Sequence, residues 1–577
     1  MNHRLFHALV GAALIVSAAG AARPAVSQES GKPANLAVVK PVQRCADLKQ
    51  LDLEAVGGKG SAITSAIETT SGGIAVCSVK AQLAPAINLQ VLLPLATWQQ
   101  RYLQVGCGGL CGNITLQSGA SEGCRIFTDG GFVMAATDMG HQGQDESWGL
   151  DEQKRIDFAY RAQHVTADAA KAMIRSFYGQ PQTFAYFNGC SDGGREALME
   201  AQRYPDDFDG IIAGAPAMLF QVQNTLFHGW QAVSNTAADG SVILTSDRLP
   251  LLHRAVVEAC DALDRDRDGL IAEPAKCHFD LATITCAPGQ SDSSNCLTPA
   301  EAEVARRFYE GPRDAETGAP LTAGQPLPGS ELNWQGVYVA DDRKGRFMSP
   351  MAALPVLRTL AFAEPRTTFT LQDLRFDIAT LDALRARHPL FDATNTNLEA
   401  FAKAGGKLIL WHGLADPHIA PANTLAYHEA LIARMGQGTV DGFERLYLLP
   451  GVSHCGGGEA LSHLDLLTPM MAWVEGGIAP DGIMTRSMGE RSSFGQPDFA
   501  EGGGRRPGGP PPQKPLNVTP LPKMTRPVFP YPHVATYRGT GDVTDGANWE
   551  KGPAAQIVPL RPWPGQDLFG AYEPSAR

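Results

Sequence analysis

The segment TFAYFNGCSDGGREALMEAQRY, residues 183–204, decides the fold. Its first part is rich in aromatic residues that favour a strand, and its last part, ended by Pro205, favours a helix. Between them stands GCSDG, which matches the G-x-S-x-G pattern around Ser191. In this pattern a strand enters a sharp turn and a helix leaves it, so that the serine Oγ is exposed above a sheet. The segment therefore predicts an α/β fold with Ser191 as a nucleophile.

A second match shows that the letters alone are weak evidence. Residues 119–123 are GASEG around Ser121, but polar residues precede them and no helix-favouring run follows. Without a strand and a helix on either side, the turn cannot present its serine above a sheet. We therefore predict that Ser121 is not a nucleophile. For Ser191, the alternative is an ordinary serine in a strand-to-helix turn.

Strand and helix patterns alternate in two stretches of the chain. Short apolar strands between amphipathic helices indicate a mostly parallel sheet covered on both faces. Residues 28–220 and 396–577 are predicted to form the two parts of this core. Residues 221–395 are less periodic and too many for a loop, so we predict a large inserted lid domain. The predicted strands are 102–106, 132–136, 183–188, 210–213, 407–411 and 445–449, and the predicted helices are 156–178, 192–204, 421–435 and 461–475.

The first residues of the chain predict export. Arg4 precedes an apolar run of small and aliphatic residues from Leu9 to Ala22, as in a signal peptide. A membrane anchor is the alternative, but the run is shorter than the roughly 20 residues that cross a bilayer. We expect residues 1–27 to be removed, leaving a periplasmic or secreted protein without a membrane contact.

Composition narrows the class of protein further. The chain has 577 residues and a formal net charge of −12, which argues against a broad nucleic-acid-binding face. In an exported chain, 11 cysteines favour disulfides, and the odd number leaves at least one thiol without an intramolecular partner. A Gly/Pro-rich stretch at about 496–515 indicates an exposed, flexible loop.

A nucleophilic serine needs a base, and the base needs an orienting acid. In α/β-hydrolases the acid follows a later strand and the histidine lies on a final loop. Asp416 follows the predicted strand 407–411, and His454 lies in a Gly-rich loop after 445–449. The competing histidines are less suitable: two lie on predicted helices and two come too early in the chain, namely His428 and His463, then His412 and His418.

The reaction also needs N–H donors for an oxyanion. The backbone N–H of Asp192, at the start of the predicted helix, is one candidate. The second is expected from the Gly-rich loop at 106–112, where glycine allows close backbone approach. The alternative for this loop is a plain glycine turn.

An acidic segment in the predicted lid indicates a cation site. CDALDRDRDGL, residues 260–270, contains D-x-D-x-D-G, whose alternating oxygen ligands suit calcium. The twelfth position of a full EF-hand loop is Ala275 here, so the pattern is incomplete, although Asp261 offers a further carboxylate. Cys260 and Cys277 bracket the loop and could clamp it by a disulfide. The alternative is a solvated acidic turn.

Four segments together resemble the tannase/feruloyl esterase family of α/β-hydrolases, which also includes mono(2-hydroxyethyl) terephthalate hydrolases. They are GCSDGGREALMEAQRYPDDFDGIIAGAPA, CDALDRDRDGL, KLILWHGLADP and LLPGVSHCGGG. The resemblance covers roughly residues 40–490, with a weaker tail at 526–549. It departs from some relatives in having no cysteine between Phe529 and Trp549.

By position, the resemblance implies Ser191 as nucleophile, Asp416 as acid and His454 as base. It implies oxyanion N–H groups at Gly109 and Asp192. Structural calcium would be bound by Asp261, Asp264 and Asp268 and by the backbone carbonyls of Asp266 and Leu270. The implied disulfides are Cys190–Cys455, which would tether the nucleophile and base loops, Cys45–Cys77, Cys260–Cys277 and Cys286–Cys296. Cys107, Cys111 and Cys124 remain, and two of them can pair locally.

The implied function is an exported serine esterase for esters of aromatic, phenolic acids such as feruloyl or galloyl esters, acting through an acyl-enzyme without an organic cofactor. The alternatives are a hydrolase of terephthalate monoesters or other synthetic esters, an acyltransferase, and a non-catalytic binding protein. The intact serine, aspartate and histidine argue against the last.

The lid is where family members select their substrates. Trp334, Tyr338 and Phe347 are weak candidates for an aromatic clamp, with internal packing as the alternative. A substrate carboxylate could be bound by Arg343, Lys344 and Arg346, for which the alternative is a solvated basic turn.

Overall fold

The computed structural model describes residues 31–143, 145–264, 266–459, 461–487, 513–555 and 560–574. The predicted signal peptide, 1–27, lies outside these residues, as does most of the predicted loop at 496–515. Among the described residues, no helix has both the length and the apolar character needed to cross a membrane.

A nine-stranded sheet lies at the centre of the protein. Its strands in chain order are β1 Ala62–Ser71, β2 Ile74–Leu83, β3 Ile87–Pro94, β4 Arg101–Val105, β5 Phe132–Thr137, β6 Phe184–Cys190, β7 Gly210–Gly214, β8 Lys407–Gly413 and β9 Glu444–Leu449. Across the sheet the order is β1-β2-β3-β5-β4-β6-β7-β8-β9. The six strands β5, β4, β6, β7, β8 and β9 run parallel to one another. At the other edge, β1, β2 and β3 pair antiparallel, and β3 is also antiparallel to β5. The predicted α/β class with a mostly parallel sheet is confirmed.

Burial explains which strands the sequence revealed. Every residue of β7 and all but the first of β8 are buried, and both contain a continuous apolar run, 210–214 in β7 and 408–411 in β8. The edge strand β1 exposes most of its residues and mixes polar with apolar side chains. No strand was predicted before residue 102, and the antiparallel edge was therefore missed.

Helices cover the sheet and fill the predicted lid. The helix predicted at 156–178 begins earlier, as Glu152–Ile156 and the π-helical turn Asp157–Arg161. It continues as Ala162–Tyr178. The other α-helices of six or more residues in the described chain are Asp192–Arg203, His228–Ser234, Leu249–Cys260, Pro299–Glu310, Ser349–Thr359, Ile378–Leu384, Glu399–Ala404, Pro421–Met435, Gln437–Phe443 and Leu467–Gly476, and a 3₁₀ helix spans Cys45–Gln50.

The helix predicted at 461–475 is wrong at its start. The side chain of Asp465 accepts hydrogen bonds from the backbone N–H of Thr468 (3.0 Å) and from its hydroxyl (2.6 Å), and the helix begins at Leu467. The residues before it are extended, because the His463 N–H donates to the Arg486 carbonyl at 3.1 Å. His463 is therefore not a helix residue.

The predicted lid, 221–395, has a hydrophobic cluster of its own formed by residues between 232 and 347. Trp334 and Tyr338 are completely buried in this cluster, and Phe347 is 7% exposed. Their suggested role as an aromatic clamp is therefore wrong, because these side chains fill the lid core. Later residues, including Val356 and Phe391, belong instead to the main core cluster.

Two small antiparallel pairs complete the C-terminal part. They are β10 Ile483–Arg486 with β11 Thr525–Val528, and β12 His533–Tyr537 with β13 Trp549–Ala554. Arg526 of β11 forms an ion pair with Asp268. The C-terminal part of the chain thereby contacts the acidic loop of the predicted lid.

Candidate active site

Ser191 occupies the turn between β6 and the helix Asp192–Arg203. Its backbone has φ +65° and ψ −122°, a conformation that L-residues seldom adopt. The Ser191 N–H donates to the Gly214 carbonyl at 3.0 Å, which ties the turn to the next strand. A Cβ atom added at Gly189 would lie 2.2 Å from the Gly193 carbonyl oxygen, so the tight turn requires glycine there. The motif has the geometry that presents a serine above the sheet.

The other match has no such geometry. Ser121 lies in a loop, is 1% exposed, and donates its hydroxyl to the Ser118 carbonyl at 2.7 Å. It forms an isolated bridge with Asp465 rather than starting a helix. A buried hydroxyl already used as a donor is a poor nucleophile.

Asp416 and His454 form the predicted pair. His454 Nδ1 lies 2.7 Å from Asp416 Oδ2, and the carboxylate is completely buried. Asp416 Oδ1 accepts the backbone N–H groups of His418 (2.7 Å) and Ile419 (3.0 Å). Burial opposes ionisation of Asp416, but the neighbouring His454 and His412 together hold its pKa far below the usual value. The carboxylate is therefore charged and oriented toward His454 Nδ1.

His412, a competitor in the sequence, supports the acid rather than serving as the base. Its Nε2 lies 3.2 Å from Asp416 Oδ2, and its Nδ1 lies 2.7 Å from the Thr424 hydroxyl. The side chain is completely buried. His428 is buried beside Glu444, with 3.1 Å between Nδ1 and Oε2.

A disulfide joins the nucleophile turn to the base loop. Cys190 and Cys455, the neighbours of Ser191 and His454, are bonded with 5.8 Å between their Cα atoms and 265 residues between them in sequence. The other predicted pairs are also present, namely Cys45–Cys77, Cys260–Cys277 and Cys286–Cys296. Cys107 pairs with Cys111, and Cys124 remains a buried thiol whose pKa burial raises to about 11.

The two candidate oxyanion donors lie on adjoining segments. Asp192 is the first residue of its helix, so its N–H has no partner within the helix. A Cβ atom added at Gly106 would lie 2.6 Å from the Cα of Gly193, which shows how closely the Gly-rich loop approaches this helix start. Gly109 has φ +65°, and nothing would lie within 4 Å of a Cβ added there. The space that a side chain would occupy at Gly109 is therefore open.

The buried carboxylate of Glu196 binds the backbone of the Gly-rich loop at 106–112. Glu196 Oε2 accepts the Cys107 N–H at 3.2 Å and the Gln163 side-chain amide at 2.5 Å. Burial, with the charge of Asp192 nearby, raises the pKa of Glu196 well above its usual value. Cys107, Cys111, Asp192 and Glu196 are residue types that bind metals, and they lie close together. Because the two cysteines form a disulfide and Asp192 pairs with Arg195 at 2.7 Å, we interpret this cluster as structural.

Two histidines that the sequence did not single out as site residues lie near the base. The ring centroids of His418 and His454 are 4.6 Å apart, and His228 lies 6.1 Å beyond His418. Burial, with the charge of His454, lowers the pKa of His418 well below its usual value and that of His228 to about 3. Both are therefore neutral at pH 7. We call His228 and His418 the histidine wall.

The tautomer of His228 follows from its neighbours. Ser349 Oγ donates to the Val337 carbonyl at 2.9 Å, so it can only accept from His228 Nδ1 at 3.1 Å. His228 Nε2 is consequently a hydrogen-bond acceptor. The sequence gave no signal for this wall, because its members come from the predicted lid and from the acid loop.

The acidic loop carries the predicted calcium ligands. Asp261, Asp264 and Asp268 direct carboxylate oxygens to backbone N–H groups of the loop, at 2.9 to 3.3 Å. Asp266 has a buried carboxylate oxygen, Oδ2, without a partner. Burial, together with nearby carboxylates, raises the pKa of Asp264 to about 6. Several carboxylates and one unpaired oxygen fit a hard cation. The ion pair of Asp268 with Arg526 was not foreseen and competes for one of them.

The family described as Tannase and feruloyl esterase matches residues 71–551. The chain belongs to this family. The match starts later and ends later than the main resemblance at 40–490, and it includes the tail at 526–549.

Two relatives and one solved structure show which proteins this chain is similar to. A mono(2-hydroxyethyl) terephthalate hydrolase of Piscinibacter sakaiensis is 31% identical over 80% of this chain and 81% of its own. A probable feruloyl esterase of Arthroderma benhamiae is 31% identical over 71% and 78%. The solved feruloyl esterase B of Aspergillus oryzae has a TM-score of 0.71 at 23% identity, covering 87% of this chain and all of its own. The last likeness supports the α/β-hydrolase fold, and the family supports a carboxylic ester hydrolase.

Proposed function

We propose that this member of the family is a serine esterase that hydrolyses esters of phenolic aromatic acids through an acyl-enzyme on Ser191. The observation that carries the proposal is the Asp416–His454 pair, joined to the nucleophile turn by the Cys190–Cys455 disulfide. The chain order of serine, aspartate and histidine is the one that α/β-hydrolases use.

Each group has a defined role in the proposed reaction. His454 takes the Ser191 proton as Oγ attacks the ester carbonyl, and charged Asp416 stabilises the imidazolium that forms. The backbone N–H groups of Gly109 and Asp192 stabilise the oxyanion. His454 then protonates the departing alcohol, and water hydrolyses the acyl-enzyme by the same route.

The histidine wall favours a phenolic acyl group. In this proposal, the neutral His228, whose Nε2 is an acceptor, receives a hydrogen bond from the phenolic hydroxyl of the bound acyl group, although its side chain is 3% exposed in this structure. A terephthalate monoester carries a carboxylate instead, which needs a cation or several N–H donors. The basic residues Arg343, Lys344 and Arg346 are exposed, and Arg343 donates to Ser241 at 3.0 Å, as expected for a solvated turn.

We also propose a structural calcium ion and an exported protein. The ion would be held by Asp261, Asp264 and Asp268 with the carbonyls of Asp266 and Leu270, and it would join the acidic loop into a rigid unit. No catalytic step depends on it. Five disulfides fit an oxidising compartment.

The test is hydrolysis of methyl ferulate, methyl gallate and a terephthalate monoester by the mature protein, beside Ser191→Ala. We expect turnover of a phenolic ester that disappears in the variant. His228→Leu should raise KM for methyl ferulate but not for methyl cinnamate, which lacks the hydroxyl. Turnover of the terephthalate monoester alone would favour the activity named for the relative. A new ester formed from an added alcohol would indicate acyl transfer.

A further inference from the structure

One buried histidine connects the predicted lid to the loop that carries His454. His253 lies on the helix Leu249–Cys260, and its side chain is 10% exposed. Its Nδ1 lies 2.7 Å from Glu331 Oε2, and its Nε2 lies 3.0 Å from Glu459 Oε2. Both ring nitrogens therefore contact carboxylates, one from the lid and one from the base loop.

Glu331 holds its side of this contact in a fixed position. Its side chain is completely buried in the lid. Its other oxygen, Oε1, accepts the Tyr309 hydroxyl at 2.6 Å and the Gly329 N–H at 2.8 Å. With two donors on one oxygen and His253 on the other, the carboxylate has little freedom to move. The orientation of the His253 ring is set by this arrangement.

Glu459 lies where the base loop closes. The Glu459 N–H donates to the Gly451 carbonyl at 3.1 Å, and Val452 and Gly458 form an antiparallel bridge. His454 lies within the loop that these two contacts close. The carboxylate of Glu459 is 20% exposed, so water screens its interaction with His253 only in part.

A second lid contact reaches the loop of the acid. The side-chain amide of Asn333 donates to the Ala415 carbonyl at 3.2 Å, next to Asp416. Glu331 and Asn333 are two residues apart on one lid turn. The same lid segment thus reaches the acid loop directly and the base loop through His253.

We propose that Glu331, His253 and Glu459 form a latch by which the lid positions His454 for catalysis. His253 and Glu459 are positioning residues and do not contact the reacting atoms. The inference rests on the proposed function, because the position of His454 matters only if it acts as the base. It assigns the lid a role in catalysis in addition to its expected role in substrate selection.

The experiment compares Glu459→Gln, His253→Gln and the double variant with the wild type. Glu459→Gln keeps the shape of the side chain and removes its charge, so it should leave the fold intact. Each single variant should lower kcat for methyl ferulate by about 10- to 100-fold, since small displacements of catalytic groups have effects of this size. KM should change less than about twofold, since in this proposal the latch acts on the base and not on substrate binding. The double variant should be no worse than His253→Gln alone, because in this proposal Glu459 acts only through its contact with His253.

Glu301→Gln is the matched control. It removes another lid ion pair of similar exposure, Arg248–Glu301 at 3.3 Å, which joins two lid residues and neither of the loops that carry Asp416 and His454. It should keep wild-type kcat, and Glu459→Asp should restore part of the loss.

The rate of fluorophosphonate labelling of Ser191 gives a second readout that does not depend on how the lid binds an ester. Folded Glu459→Gln and His253→Gln proteins with wild-type kcat and labelling would overturn the latch. Equal loss of kcat in the Glu301→Gln control would overturn it as well, since general lid damage would then explain the effect. A wild-type protein that neither turns over esters nor labels at Ser191 would overturn the proposed function itself.

Discussion

Replacing Asp416 by asparagine tests the charge and hydrogen-bond pattern of the site while keeping the side-chain shape. Two backbone donors, the N–H groups of His418 and Ile419, point at Oδ1 at 2.7 and 3.0 Å. An asparagine must therefore keep its carbonyl oxygen at that position and turn its NH₂ group toward His454 Nδ1.

That orientation reverses the proton arrangement on His454. The NH₂ group is a donor, so Nδ1 must accept and the imidazole proton moves to Nε2. A protonated Nε2 cannot take the proton of Ser191. The loss of the negative charge also removes the stabilisation of the imidazolium.

We expect kcat for methyl ferulate to fall by about 10⁴-fold, the size seen when a triad aspartate is replaced by asparagine. This corresponds to about 5.4 kcal/mol in activation free energy. Steady-state kinetics at pH 7 measure it, with circular dichroism to show that the variant folds.

Asp465→Asn serves as the control, because the Asp465 carboxylate binds the N–H and hydroxyl of Thr468 at the start of the helix Leu467–Gly476 and not the Asp416–His454 pair. It should retain wild-type kcat. A folded Asp416→Asn protein with less than about a tenfold loss would refute the assignment of the acid, since a reversed imidazole tautomer cannot support base catalysis of this kind.

Three further predictions concern stability. Replacing Cys190 and Cys455 together by alanine should lower the free energy of unfolding by about 2 to 5 kcal/mol, as for other native disulfides. It should also lower kcat, because the nucleophile and base loops lose their tether. Chemical denaturation and steady-state kinetics measure the two effects, and unchanged values would contradict the role of the bond. Treatment with a calcium chelator should lower Tm, and added Ca²⁺ should restore it. In Asp264→Asn, neither treatment should change Tm. A wild-type Tm that the chelator does not change would argue against a bound calcium ion. Finally, contacts with Glu331 and Glu459 outweigh burial and raise the pKa of His253 to about 10, whereas an unfolded histidine has a pKa of about 6.5. Because the pKa of His253 is higher in the folded protein, its contribution to the free energy of unfolding is complete below about pH 6.5 and is lost as pH rises through 10. The difference in unfolding free energy between wild type and His253→Gln should therefore shrink over that range. A constant difference would contradict a charged His253.

The residues around Ser191 could be predicted because their signals are local. A strand, a tight glycine turn and a helix follow one another within 183–204, and each element is encoded by its own segment. The acid and base could be proposed because Asp416 and His454 each follow a short strand with an apolar run, residues 408–411 in β8 and 446–449 in β9. In both cases the functional residue lies at the end of an element that the periodicity identifies.

Other features depend on contacts between distant segments. His253, Glu331 and Glu459 are separated by 78 residues or more, and nothing in their local sequence links them. Trp334 looked like a substrate contact because it is aromatic, but burial in the lid core depends on what packs around it. The edge strand β1 was missed because a half-exposed strand has no continuous apolar run.

The most direct test of the account is to locate the residue that a fluorophosphonate labels. The mature protein is treated with the probe, digested, and mapped by mass spectrometry, beside Ser191→Ala and Ser121→Ala. We predict a single adduct on the peptide that contains Ser191, lost in Ser191→Ala and unchanged in Ser121→Ala. An adduct on Ser121, or labelling that survives Ser191→Ala, would contradict the assignment of the nucleophile.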